Sequence, residues 1–211
     1  MFATHDLPVF ILSGLLLNIT PGADTLYVIT CAANKGWRAG VAAAFGISLG
    51  CYVHIFAAAL GLSALLATSS SAFVGIKLLG AAYLLYLGLG MLFRHSKISK
   101  QLPADTPLSL KKIVLQGFLT DALNPKMALF FLAFVPQFIE AGANDKFLAF
   151  LFLGVIFNIN ATLWCLILAG FTAYFRHKTG PLPGKIWLSR LVGLVFILLG
   201  LKLGYSTNTI E

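Results

Sequence analysis

Apolar residues run along this chain in long blocks, without the strict alternation of a half-buried strand or the narrow stripe of a surface helix. Windows of about 20 apolar residues, the helix length that crosses a hydrocarbon core, recur from Leu7 onwards. They predict about six spans, near 7–30, 39–67, 72–93, 112–138, 147–174 and 187–206. The polar stretches between them are short and leave no room for a separate soluble domain. The expected fold class is all-α: a polytopic membrane protein with one transmembrane domain over 1–211. The opening MFATHDLP lacks the Lys or Arg of a signal-peptide leader, so the first apolar run is expected to be retained as a span.

Composition agrees: 59% of the residues are hydrophobic and 10% charged, against about 45–50% and about 25% in a soluble domain. The net charge of +8 would suit nucleic acid, but its placement points to topology. Loops after spans one, three and five hold Lys35 and Arg38, then Arg94, Lys97, Lys100, Lys111 and Lys112, then Arg176, Lys178, Lys185 and Arg190. The other side holds only Lys146, together with Asp6, Glu140, Asp145 and Glu211, while Lys77, Lys126 and Lys202 lie within spans. Cytoplasmic loops collect Lys and Arg, so both termini are expected on the outer, periplasmic side. Bases so placed, without interleaved aromatics, make contact with anionic lipid the expectation and nucleic acid no partner.

The segment 94–111, with Pro103 and Pro107, divides the chain into halves of three spans, 1–93 and 112–211. Three is odd, so halves descended from one duplicated unit must sit in opposite orientations, as two inverted three-helix repeats. Superposing Pro21 on Pro125 lays LLLNITPGADTLYV over LTDALNPKMALFFL, the first span of each half. Each has a proline after a polar residue, Thr20 or Asn124, and a carboxylate nearby, Asp24 or Asp121. Proline removes a helical hydrogen bond, and Gly22 or Asn124 beside it loosens the backbone further. Spans one and four are therefore expected to break at Pro21 and Pro125. Backbone groups freed in lipid must face protein or a cavity, and paired breaks in opposite halves point to a transporter site.

An Asp at the centre of a span costs about 2.5–3.5 kcal/mol on insertion scales, which gives Asp24 and Asp121 a purpose or an interface position. Asp24 can also cap the half-helix that starts after Pro21. Lys126 follows Pro125 at the positive end of the second half-helix, which calls for an anion nearby, with Asp121, Asp24 of the other half or a substrate carboxylate as candidates, or for snorkelling to the interface. Thr20, Pro21, Gly22, Asp24, Asp121, Asn124, Pro125 and Lys126 are the candidate substrate- or proton-binding residues. Asn18, His54 and Asn158 are possible lining, with His54 equally open to an ordinary interhelical hydrogen bond. Gly46-x-x-x-Gly50, Ala57-x-x-x-Gly61 and Gly200-x-x-x-Gly204 permit close helix contact within one subunit or in a homo-oligomer.

Other chemistries lack their residues. There is no Ser-His-Asp candidate at a common depth and no GxxxxGK[ST] loop, so neither an enzyme nor an ATP-driven pump is expected. Cys31, Cys51 and Cys165 are isolated and read as small packing residues, with no metal or cofactor implied.

The combination of NITPGADTLYVI, NKGWRAGVAAAFGISLGCYVHIFAAALGLSALL, KLLGAAYLLYLG and GFLTDALNPKMALFFLAFVPQF resembles the lysine exporter superfamily. The likeness is to its RhtB branch of bacterial inner-membrane amino-acid exporters, and it runs over essentially the whole chain. The resemblance implies about six spans, export of an amino acid or analogue, and use of a proton gradient. It places Pro21, Gly22, Asp24, Asn124, Pro125 and Lys126 on family motif positions. The chain departs from the family in Ala23, where a second proline is common, and in Cys51, where an acidic or amide residue is frequent. The expected function is secondary export of a neutral amino acid or analogue by proton antiport. A small-ion or metal-ion permease or channel, or an accessory subunit without transport of its own, is the alternative.

Overall fold

The computed structural model describes residues 4–20, 22–62, 109–140, 142–143 and 145–175, with isolated helical positions at 75, 78, 82, 85, 86, 89, 194, 197, 198 and 201. Pro21, Lys77, Lys202, the Gly200-x-x-x-Gly204 pair, the linker up to 108 and most of spans three and six lie outside the described residues. Apart from one isolated bridge between Thr4 and Ile139, the described regular structure is helical, and the protein is an all-α polytopic membrane protein.

Helix α1 covers Leu7–Ile19 and α2 Ala23–Lys35; together they form one span bent by 55°. Helix α3, Trp37–Ala57, continues into a wider π-type turn over Ala58–Leu62, and this second span is unbroken. Helices α4, Leu110–Ala122, and α5, Pro125–Leu129, make the other bent span, at 44°. After α5 the backbone loosens to a π turn over Phe130–Phe134 and then tightens to a 3-10 turn over Val135–Phe138. Helix α6, Lys146–Phe175, crosses without interruption; at 1.5 Å per residue its 30 residues are about 45 Å long.

The first span ends later than hydropathy predicts. TCAANK, beyond the predicted limit near 30, completes α2, with Lys35 on the last, electronegative turn. Gly36 alone then reverses the chain into α3 with a φ of 81°, in a region of backbone space that essentially only glycine occupies.

The small residues of span two are used inside the subunit. A Cβ on Gly46 would strike the Val114 carbonyl, one on Gly50 would lie 2.6 Å from Phe118 O, and one on Gly117 2.8 Å from Ala43 O. Backbone therefore lies on backbone where α3 crosses α4, and Asp121 is seated directly against Gly50, 2.8 Å from that added Cβ. A Cβ on Gly61, by contrast, would meet nothing within 4 Å among the described residues.

Two cores result. One is aromatic, built from Phe10, Phe130, Phe131, Phe134, Phe150 and Phe157 with Leu17 and Ile55. The other is made of smaller residues, Val28, Ala32, Ala43, Ala44, Ile47 and Ala169, around Tyr27, Cys31, Ile113 and Cys165. The exposed faces carry Leu12, Phe45, Leu60, Leu163 and Ile167, as surfaces turned to lipid must. Each core takes one half of every bent span, so the two breaks fall where the cores meet.

Candidate functional site

Each break is finished by its own local chemistry. At the end of α1, Thr20 turns extended and its hydroxyl donates to Leu16 O at 2.8 Å. Gly22, also extended, starts α2, and Asp24 falls in the first turn, where the helix end is positive. The bend persists although Ala23 replaces the second proline common in the resembled family. In the other span the Asn124 Oδ1 accepts from Lys126 N at 3.0 Å, an N-cap, with Pro125 in the first helical turn where no amide is missed.

The two breaks are bonded to each other. Asn124 Nδ2 donates to Asp24 Oδ2 at 2.7 Å, so one side chain caps α5 and holds the carboxylate of α2. Lys126 reaches the opposite way: its Nζ donates to Leu17 O at 2.8 Å and to Thr20 O at 3.3 Å. These carbonyls end α1 at its negative pole, a partner that the sequence did not suggest. A Cβ on Gly22 would stand 3.4 Å from that ammonium.

Between the breaks lies a cavity lined by Asn18, Asp24, Thr25, Ser48, Cys51, Asp121, Lys126, Asn158, Thr162, Trp164 and Cys165, with Ile47, Met127, Phe157 and Ala161 as its apolar wall. Its α3 and α6 residues come from the middle of those spans. Four buried polar atoms of this lining have no hydrogen-bond partner among the described residues: Asn18 Nδ2, Asp24 Oδ1, Asp121 Oδ2 and Trp164 Nε1. Natural proteins satisfy nearly all such groups, so four of them among the residues lining one hollow set it apart. The cavity is about 20 Å³, above the roughly 10–15 Å³ that admits one water and far too small for an amino acid. The helices here are drawn together around it.

Of the predicted candidates, Asp24, Asp121, Lys126, Asn18 and Asn158 line this space. Thr20, Gly22, Asn124 and Pro125 shape the breaks behind it, and Pro21 is outside the described residues. His54 is not in the lining: it donates from Nε2 to Asp121 O at 2.8 Å and stacks on Phe131, holding the end of α4. Asn158 Nδ2 donates to Ser48 O at 3.3 Å, joining α6 to α3. Trp164, Thr162, Ser48 and Thr25 were not anticipated, and Cys51 and Cys165, which pack in the two cores as read, also line the cavity. Trp164 carried one legible signal, since tryptophan favours the membrane interface and this one sits mid-span.

The model of the LysE type translocator family matches residues 15–207. The chain belongs to this family. It is 35% identical over 211 residues to the uncharacterized membrane protein PA4757 of Pseudomonas aeruginosa, covering 96% of each chain. It is 31% identical to the uncharacterized membrane protein YrhP of Bacillus subtilis, over 96% of this chain and all of that one. It is 29% identical to the leucine efflux protein of Salmonella typhimurium, over 89% of each. No solved structure matches this LysE-type chain.

Proposed function

We propose that this LysE-type translocator is a secondary exporter of a neutral amino acid or close analogue, in the RhtB branch, working by alternating access around the cavity between its two breaks. The observation that carries the proposal is the convergence of four unpartnered buried polar atoms on one mid-span cavity between two bent helices. Asp24 and Asp121 supply acceptors for a substrate ammonium or carry the coupling proton of an antiport cycle. Two inverted repeats would give such a site its pseudo-symmetry, and the crosswise bonds of Asn124 and Lys126 hold the repeats together in the closed state. The distribution of Lys and Arg supports a bacterial inner-membrane location with both termini on the periplasmic side.

The test uses purified protein alone in liposomes loaded with labelled leucine, the substrate named by the Salmonella relative. Under an imposed pH gradient the proposal expects saturable leucine efflux that Asp24→Asn and Asp121→Asn each slow strongly at normal protein levels. Ion conductance without amino-acid movement would favour a permease or channel, and silence across a panel of neutral amino acids an accessory subunit. Wild-type rates in both Asn variants would remove the carboxylates from the mechanism.

A further inference from the structure

The four unpartnered atoms at the cavity are not alike. Asp24 Oδ1 and Asp121 Oδ2 are acceptors, and Asn18 Nδ2 and Trp164 Nε1 are donors. A zwitterionic amino acid has the complementary pair, an ammonium that only donates and a carboxylate that only accepts. The two Asp oxygens match the ammonium, which leaves the two nitrogens for the carboxylate. Lys126 is the obvious cation for that task, but its ammonium is engaged with the carbonyls of Leu17 and Thr20 that close α1.

The Trp164 indole is the sharper of the two donors. Its nitrogen can only donate, whereas an amide presents both a donor and an acceptor. It also sits at the middle of α6, away from the interface where tryptophan serves as an anchor. A phenylalanine would fill most of the same space in an apolar span with no N–H to satisfy, so the nitrogen itself calls for a partner. We infer that Trp164 Nε1, with Asn18 Nδ2, holds the carboxylate of the transported zwitterion, opposite an ammonium site made by Asp24 and Asp121. This assignment rests on reading the chain as an amino-acid exporter.

Binding of labelled leucine to the purified full chain, displaced by leucine or by leucinol, tests it. Leucinol keeps the ammonium and side chain and lacks the carboxylate. Wild-type protein is expected to prefer leucine. In Trp164→Phe the affinity for leucine should fall about tenfold to a hundredfold, the range for a lost hydrogen bond to a charged group, while that for leucinol stays unchanged. Equal losses for both ligands, or none for leucine, would overturn the assignment.

A second measurement keeps Trp164 in place. The chain has three tryptophans, and Trp37→Phe with Trp187→Phe leaves Trp164 as the sole indole. Leucine should then shift its emission and leucinol should not; emission indifferent to bound leucine rejects the contact. If the wild type binds none of the neutral amino acids, the exporter reading fails and takes the assignment with it. Failure of the Trp164 tests in a chain that does bind leucine leaves that reading standing.

Discussion

Asn124 offers a direct way to measure how strongly the two broken spans are joined. Its side chain does two things, capping α5 through Oδ1 and donating to Asp24 from Nδ2 at 2.7 Å. A bond to a charged group contributes about 1.5–3 kcal/mol, and the short distance argues for at least about 2 kcal/mol here. Asn124→Ala also removes the cap, which adds about 1 kcal/mol, whereas Asn124→Ser keeps a capping oxygen and loses only the cross-span bond. At about 2–4 °C per kcal/mol for a chain of this size, serine should lower Tm by roughly 4–8 °C and alanine by roughly 6–12 °C. Asp24→Ala breaks the same bond from the other side. The double variant Asn124→Ser with Asp24→Ala should therefore fall short of the summed effects by about 2 kcal/mol. Thermal unfolding of the four purified proteins in one detergent gives the cycle. Effects that add to within about 0.5 kcal/mol would refute a bond between the breaks.

Two other perturbations follow from the same geometry. Lys126→Met leaves the carbonyls of Leu17 and Thr20 without their shared ammonium, and should cost about 2–4 kcal/mol in denaturant unfolding, well beyond an exposed lysine such as Lys112. Gly46→Leu has nowhere to go at the α3–α4 crossing and should cost about 3 kcal/mol in thermal unfolding or prevent accumulation, while Gly61→Leu, with no neighbour within 4 Å among the described residues, should behave as wild type.

The spans were legible because the hydrocarbon core imposes a length and a composition that the chain cannot hide. The breaks were legible for a related reason: proline forfeits a helical bond wherever it falls inside a span, and Pro125 follows the polar Asn124 there. The turn at Gly36 was not, since hydropathy reads TCAANK as polar and says nothing of a helix that continues through it. Nor could hydropathy separate α-helix from the π and 3-10 turns after α5, which differ by backbone winding at equal apolarity. The partners of Lys126 escaped because they are backbone carbonyls, which leave no trace in residue type. Its awkward position at a positive helix end was visible, as was its need for a carboxylate such as Asp24 or Asp121, both of which act on its charge; the reach across to the α1 carbonyls was not. His54, a polar residue at mid-span, bonds Asp121 O and is outside the cavity lining. The two cavity cysteines look like ordinary apolar residues until the helices are placed side by side.

The central claim is that substrate sits in the cavity between the two breaks. Cys51 and Cys165 line that cavity and Cys31 does not, and all three are free thiols. Their rates of modification by a small methanethiosulfonate can be followed by mass spectrometry on reconstituted protein, with and without saturating leucine. The account predicts that leucine slows modification of Cys51 and Cys165 several-fold and leaves Cys31 unchanged; equal rates at Cys51 and Cys165 in the presence and absence of leucine, in protein that transports it, would contradict the account.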